Sequence, residues 1–381
     1  MQLRPFFREA RAVRRQTGKA VAAQALEIAR LARGTGQIGA SEYYLFRLYE
    51  DRRLTLEAKH AFVGWRGERA IHARFNNKGW QVLSLDKIVF LSLLRAAALP
   101  HPPVRALYDP AGRFLEGIPT LTTPQALARF LLHEAEYPLF IKPSHGQYGK
   151  GAHLLRGADP DSHRVVTHRG EIDAEELARS LETRHTNGQI LQQAIPAHPD
   201  LIPVCGERAS TVRLTSILTP RGVLPCSAVW KIPTGDNIID NFQHGRSGNL
   251  LGSVDLDSGA VVRVVGPSSH GGPAEHARHP DTNAAISGLV LPQWDALLAL
   301  ARQAGSLMPR LRIQHLDIAL SPGGPWLLEI NAPGNFDLHQ HASGEGFLKP
   351  RVREALAECE QSEREERRTI QSLGPATPSG A

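Results

Sequence analysis

Gln314-His315-Leu316-Asp317-Ile318-Ala319-Leu320, then Ser321-Pro322-Gly323-Gly324-Pro325, then Trp326-Leu327-Leu328-Glu329-Ile330-Asn331, is the stretch on which this chain turns. Apolar and polar residues alternate on either side of a Pro-Gly-Gly turn signal, so the stretch reads as a β-hairpin centred on Gly323. That centre sets residue 320 against 326, 318 against 328 and 317 against 329. Asp317 and Glu329 become direct cross-strand neighbours, with Cβ atoms roughly 5 Å apart. Alternation brings Asn331 onto the same face. Leu316, Ile318, Leu320, Trp326, Leu328 and Ile330 make up the opposite, core-facing set.

Two carboxylates placed directly opposite each other repel. A hard divalent ion removes that cost. Two carboxylates and an amide oxygen, with water and phosphate completing the shell, describe magnesium binding. Asp317, Glu329 and Asn331 are therefore the expected metal ligands, and Asn-Ala-Pro-Gly continues from them as a tight loop. His315 faces Asn331 in this register and reads as a partly exposed structural histidine, with support of the metal ligands from behind as the alternative.

Upstream, Phe140-Ile141-Lys142 ends an apolar strand on a lysine, and Pro143-Ser144-His145-Gly146-Gln147-Tyr148-Gly149-Lys150-Gly151 follows as a glycine-rich loop. Gly146, Gly149 and Gly151 let backbone N–H groups come close to phosphate oxygens. The loop departs from the P-loop pattern, because glycine follows Lys150 and a strand follows the loop. Arg213, on one face of a strand with Thr211 and Thr215, and Lys231, after Ala228-Val229-Trp230, add the positive charge that a phosphoryl-transfer site needs.

The 381 residues suffice for two or three domains. Residues 1–85 read as a helical accessory region without chemistry. Residues 86–350 alternate strands, turns and helices, with Asp86-Lys87 and Thr123-Pro124 opening helices. Within that span, about 138–200 reads as a glycine-loop subdomain and about 205–350 as a metal-binding one. Residues 351–381 read as a charged helix and a disordered tail. The overall class is α+β.

The bulk numbers exclude more than they assign. No apolar run reaches the roughly 20 residues that span a bilayer, and the basic start (Arg4 to Lys19) is not followed by a secretory apolar core. Three cysteines without metal-ligand spacing suit a reducing cytoplasm. The net charge of +6 is spread along the chain, with no nucleic-acid-binding motif. It reads as solvated surface, with weak contact to the inner membrane face as the sharper alternative.

Taken together, Lys142, the glycine-rich loop and the Asp317…Glu329-x-Asn331 hairpin resemble the ATP-grasp superfamily over about Asp86 to Phe347. Asp240-Asn241-Phe242, Leu291-Pro292-Gln293-Trp294 and Asn331-Ala332-Pro333-Gly334…Gln340 resemble its sugar-transfer-associated branch. The resemblance implies ATP held between two α+β subdomains, with Lys142 on the α/β-phosphates and Lys87 close to the nucleotide. The loop from Ser144 through Gly146, Gly149 and Gly151 would cover the triphosphate. Gln192, Gln193, Ala194 and Ile195 would form the hinge that reads adenine, although an acidic residue is common where the glutamines stand. Arg213, assisted by Lys231, would stabilise the transferring phosphate. One or two Mg²⁺ (or Mn²⁺) ions would sit on Asp317, Glu329 and Asn331, with Glu329 bridging. Arg246 stands where a small residue is usual.

The implied chemistry is ligation. A small-molecule or saccharide carboxylate takes the γ-phosphoryl group, and an amine, or less often another nucleophile, then displaces phosphate; the branch resemblance points to cell-surface polysaccharide biosynthesis. The alternatives are phosphate transfer to a hydroxyl on the same scaffold and non-catalytic nucleotide binding.

Overall fold

The structure, a computed structural model, describes residues 3–146, 151–184, 187–242, 245–267 and 274–372. Two seven-stranded sheets dominate it. The first holds β1 (Val104–Tyr108), β2 (Thr120–Leu121), β3 (Leu139–Pro143), β4 (His153–Asp159), β5 (Arg164–Thr167), β6 (Gly170–Asp173) and β7 (Gln189–Gln193) in the order β2-β1-β7-β3-β4-β5-β6. Only β1 and β2 run parallel; the other neighbours are antiparallel. Leu127 and Leu131 of the helix Pro124–His133, with Leu177 and Leu181 of the helix Ala174–Arg184, pack on Leu139, Ile141, Leu155 and Leu191 of this sheet. The Thr123 hydroxyl accepts the Ala126 N–H at 3.1 Å and Pro124 fills the first turn, which fixes where the first of these helices starts.

The second sheet is antiparallel throughout. It holds β8 (Thr211–Thr219), β9 (Gly222–Ile232), β10 (Leu250–Val254), β11 (Val261–Gly266), β12 (Ala274–Glu275), β13 (Ile313–Ser321) and β14 (Gly324–Asn331) in the order β12-β11-β10-β9-β8-β13-β14. Its inner face packs on the helix Trp294–Ser306 around Trp230, which is fully buried and donates its indole N–H to Ser210. The class is α+β.

β13 and β14 form the expected hairpin, with Asp317 against Glu329, Leu316 against Ile330 and His315 against Asn331. Beyond Asp317 the register slips by one residue, so that Ile318 meets Leu327 and Ala319 meets Trp326. This bulge corrects the expected core face. Leu327 is buried, whereas Trp326 and Leu328 are only half-buried.

Helices precede β1, among them Leu3–Thr17, Val21–Leu31, Trp65–Phe75 and Lys87–Ala96. Asp86 caps the last of these by accepting the Ile88 N–H at 2.9 Å. The C-terminal helix Pro350–Ser372 lays Val352, Ala355, Leu356 and Cys359 on Ile217, Ile313 and Phe75. The tail 374–381, expected to be disordered, lies outside the described residues. Among the described residues, no helix is long and apolar enough to cross a membrane. All three cysteines are free.

Candidate functional site

Strand register assembles the centre of the site. Arg213 on β8 is paired with Asp317 on β13, which is paired with Glu329 on β14, so three strands present a cation and two acids in one row. Arg213 grips Asp317 with both ends of its fork, Nε to Oδ1 at 2.5 Å and Nη2 to Oδ2 at 2.6 Å. Lys231, from β9, reaches Asp317 Oδ2 at 3.2 Å and Asp240 Oδ1 at 3.1 Å. Thr211 donates its hydroxyl to the other oxygen of Asp240 at 2.5 Å.

Burial alone would raise the Asp317 carboxyl. The Arg213 and Lys231 charges outweigh it and hold Asp317 well below the usual carboxylate range. Burial likewise would lower Lys231, yet Asp240 and Asp317 carry it above the ordinary lysine value. The repulsion between Asp317 and Glu329 that the sequence leads one to expect is offset in part within the protein by Arg213 and Lys231.

Among the described residues, Glu329 makes its one ion pair with Lys87 Nζ at 3.8 Å, and an Asn331 amide lies 3.4 Å away. Glu329, Asn331 and Asp317 all line one cavity of about 1720 Å³. Among the described residues, no three His, Cys, Asp or Glu side chains gather as a metal cage. This donor set fits magnesium that arrives with a nucleotide, because magnesium typically takes one or two carboxylates and completes its shell with water and phosphate.

The opposite wall comes from the first sheet. Lys142 on β3 lines the cavity and is half-buried. Burial pulls its ammonium down to about 8, with Glu329 opposing and Lys87 reinforcing. Lys87, the first residue of its helix, ties the start of the glycine loop to Glu329. Its backbone N–H donates to Ser144 O at 3.0 Å and its ammonium to Gly146 O at 2.9 Å. Gly146 borders the cavity. Ser144 does not: it is fully buried and its hydroxyl bonds the Asn187 carbonyl. Gly151 is not among the cavity-lining residues, and Gly149 lies outside the described residues.

Gln192, Gln193, Ala194 and Ile195 all line the cavity. The Gln193 N–H donates to Pro103 O at 2.8 Å and the Ala194 N–H to Pro138 O at 3.0 Å. The Ile195 N–H makes no hydrogen bond among the described residues, so of these three it alone is free to donate to a nucleobase.

The helix Trp65–Phe75, expected to carry no chemistry, closes the remaining side. Glu68 and Arg69 line the cavity, as does Ser84 further on. Glu68 borders the inward stripe of Gly67, Ile71, His72 and Phe75, a polar residue beside an apolar face and the only trace of this role in the sequence. The Ala332 N–H donates to Ser84 Oγ at 3.0 Å, the Phe336 N–H donates to Glu68 Oε2 at 3.1 Å, and His72 Nε2 lies 2.8 Å from Gly334 O. These helices therefore hold the loop after Asn331 at three points.

His315 also backs this loop. It is fully buried, where partial exposure was expected, because its ring is covered by His72 and Phe336. Burial keeps it neutral. A Cβ on Gly334 would stand 2.5 Å from the His315 ring, so only glycine permits this approach.

No curated protein matches the chain significantly. Among solved structures, the L-amino acid ligase from Bacillus licheniformis is similar at 15% identity with a TM-score of 0.40, covering 72% of this chain and 50% of that one. D-alanine-D-alanine ligase from Helicobacter pylori is similar at 12% identity and a TM-score of 0.41, covering 74% and 61%. The ATP-grasp ligase PsnB, complexed with a minimal precursor, shows 16% identity and a TM-score of 0.40, covering 82% and 74%. The chain thus spans about half the length of the first of these. The sugar-transfer associated ATP-grasp description matches residues 68–355, a span that begins at Glu68 and takes in both sheets. The chain belongs to the sugar-transfer associated ATP-grasp family.

Proposed function

We propose that this protein is an ATP- and magnesium-dependent carboxylate–amine ligase working through an acyl phosphate. The observation that carries the reading is the Arg213–Asp317–Glu329 row lining the same cavity as Lys142. Lys142 and Lys87 bind the phosphates of ATP. The β7 segment receives adenine, with the Ile195 N–H as donor. Arg213 spends two of its N–H groups on Asp317 and keeps Nη1 for an oxygen of the transferring phosphoryl group. Lys231 and Asp240 fix Asp317 from the far side, so the row is rigid before substrate arrives. Asp317, Glu329 and Asn331 would hold the magnesium, whose charge would offset that of the phosphoryl oxygens. A substrate carboxylate oxygen attacks the γ-phosphorus and ADP leaves. An amine then attacks the acyl carbon and inorganic phosphate leaves. Lys87 holds the start of the glycine-rich segment at Gly146, beside the cavity in which the acyl phosphate would form.

The family's sugar-transfer association supports a saccharide acid as the carboxylate and a role in cell-surface polysaccharide synthesis. Cytoplasmic residence belongs to the same proposal, since the reaction consumes ATP. The test is ADP release in the presence of hydroxylamine over a panel of uronic acids and amino acids. A ligase yields a hydroxamate with at least one acid. ADP release with a phosphorylated hydroxyl and no hydroxamate would make the protein a phosphotransferase.

A further inference from the structure

We propose that Glu68 is a catalytic residue that binds the incoming amine as its ammonium and takes the proton that frees its lone pair. This rests on the ligase reading and adds to it the group that handles the nucleophile.

Placement comes first. Glu68 is fastened to the loop that runs directly from Asn331. Its Oε2 accepts the Phe336 N–H, while Ser84 and His72 fasten Ala332 and Gly334 in between. The carboxylate is thus set on the same wall as the metal-binding hairpin and opens into the same cavity. Charge comes second. The acids around Arg213 and Lys231 are matched by cations, but no lysine, arginine or histidine nitrogen lies within 4 Å of the Glu68 carboxylate among the described residues. The charged group that acts on it most is another acid, Asp337, at the start of the helix Asp337–Ser343. His72, one turn along its own helix, and His339, on the facing helix, are both held near 4 by burial and stay neutral. Arg69 and Arg246 reach the cavity wall, and among the described residues neither forms an ion pair with Glu68. A half-buried acid beside a second acid is costly when ionised unless a cation joins it. In this cavity, an ammonium group from the substrate is the cation that the chemistry requires.

The step balances as follows. The R–NH₃⁺ group gives one proton to the Glu68 carboxylate, leaving R–NH₂ and a neutral carboxyl. The nitrogen lone pair forms the C–N bond at the acyl carbon, the C–O bond to phosphate breaks, and the departing phosphate carries off the second proton. Glu68 then returns its proton to solvent through the open cavity. Burial and Asp337 push its carboxyl up to about 8, a value matched to accepting a proton from an ammonium near neutral pH.

The test uses the full chain with ATP, magnesium and the carboxylate panel, comparing two nucleophiles. Hydroxylamine is already a free base at neutral pH; ammonium, amino acids and amino sugars are not. Glu68→Gln keeps an acceptor for the Phe336 N–H. It is expected to retain hydroxamate formation within about twofold and to lose amide formation by about 10²-fold or more. Glu68→Asp should restore part of that loss. Wild-type amide formation should rise through about pH 8, and carboxyl ¹³C NMR of labelled glutamate should show a group titrating there that Glu68→Gln removes. Equal loss of hydroxamate and amide in Glu68→Gln would reduce Glu68 to a scaffold. Equal retention of both would deny it any part, as would a wild type that forms hydroxamate but no amide with any of these amines. A wild type that forms no hydroxamate with any acid would instead defeat the ligase reading, and this inference with it.

Discussion

Asp317 and Glu68 are carboxylates on the wall of one cavity, and their surroundings drive them in opposite directions. Asp317 is 3% exposed, gripped by Arg213 and touched by Lys231. Glu68 has a backbone N–H and a neighbouring acid. The first is held ionised well below the usual range, whereas the second is pushed up to about 8. Burial raises both, so burial alone does not set their roles. The sign of the neighbouring charge does. Asp317 is a permanent charge that positions the Arg213 and Lys231 cations and, in the proposed reaction, would help to hold the metal. Glu68 can carry a proton on and off within the working range.

The largest expected effect breaks the Asp317 half. Asp317→Ala leaves Arg213 and Lys231 with a buried excess of positive charge. That should cost about 3–5 kcal/mol in urea unfolding, because breaking a buried pair strands its partners. ADP release should fall by about 10²–10³-fold with it, as when a preorganised group is removed from a transferring centre. Unchanged unfolding would mean that the Arg213 fork does not hold the sheet row together. For Asp317 the folded value is depressed from 3.8, so its contribution is present above that value and is lost only as pH falls through the folded one.

Lys142 lies between the two acids in behaviour, because burial lowers it to about 8 while Glu329 opposes the shift. Lys142→Met should weaken binding of a fluorescent ATP analogue by about 10–100-fold, the worth of a charge-assisted hydrogen bond of about 1.5–3 kcal/mol. In the wild type, affinity should fall as pH rises through about 8, because only the ammonium form attracts phosphate. A flat affinity profile from pH 7 to 9 would remove Lys142 from the phosphate side.

The Glu68 half makes a prediction of opposite sign. Its folded value is raised from 4.5 to about 8, so its contribution to stability is present below 4.5 and lost as pH rises through 8. Above that, the ionised acid costs the fold roughly 1–3 kcal/mol. Glu68→Gln should therefore be more stable than wild type at pH 9, and the advantage should vanish toward pH 5. Thermal melts across that range check it. A variant that is less stable at every pH would contradict an unpaired Glu68.

The difference between these halves also marks what could be read from the sequence. The 317–329 pairing was legible because strand alternation has a period of two and the turn signal fixes the centre. The bulge beyond Asp317 was not, since Leu327 and Leu328 are identical in pattern and only packing against the helix Trp294–Ser306 decides which is buried. Partnership of Arg213 and Asp317 depends on pairing strands about a hundred residues apart, and nothing local encodes it. The same holds for Glu68, whose partner loop lies 268 residues further on. β10, Leu-Leu-Gly-Ser-Val, is buried on both faces and shows no alternation to mark it as a strand. Ser144 shows the converse: a serine in a glycine-rich loop suggests phosphate contact, but the Asn187 carbonyl has already engaged it.

If the two carboxylates are as separate as their surroundings imply, their energies should add. Among the described residues they share no hydrogen-bond or ion-pair partner: Asp317 is bound to β8 and β9, and Glu68 to the Phe336 N–H. Independent sites combine within about 0.5 kcal/mol. Urea unfolding of Asp317→Asn, Glu68→Gln and the double variant at pH 8 should therefore close a cycle with a coupling no larger than that. A coupling above about 1 kcal/mol would show that the Arg213–Lys231 cations reach Glu68 through the loop that follows Asn331, since neighbouring sites couple at that scale. In that case the cavity would hold one shared charge system, and the opposite shifts of its two acids would have a common origin.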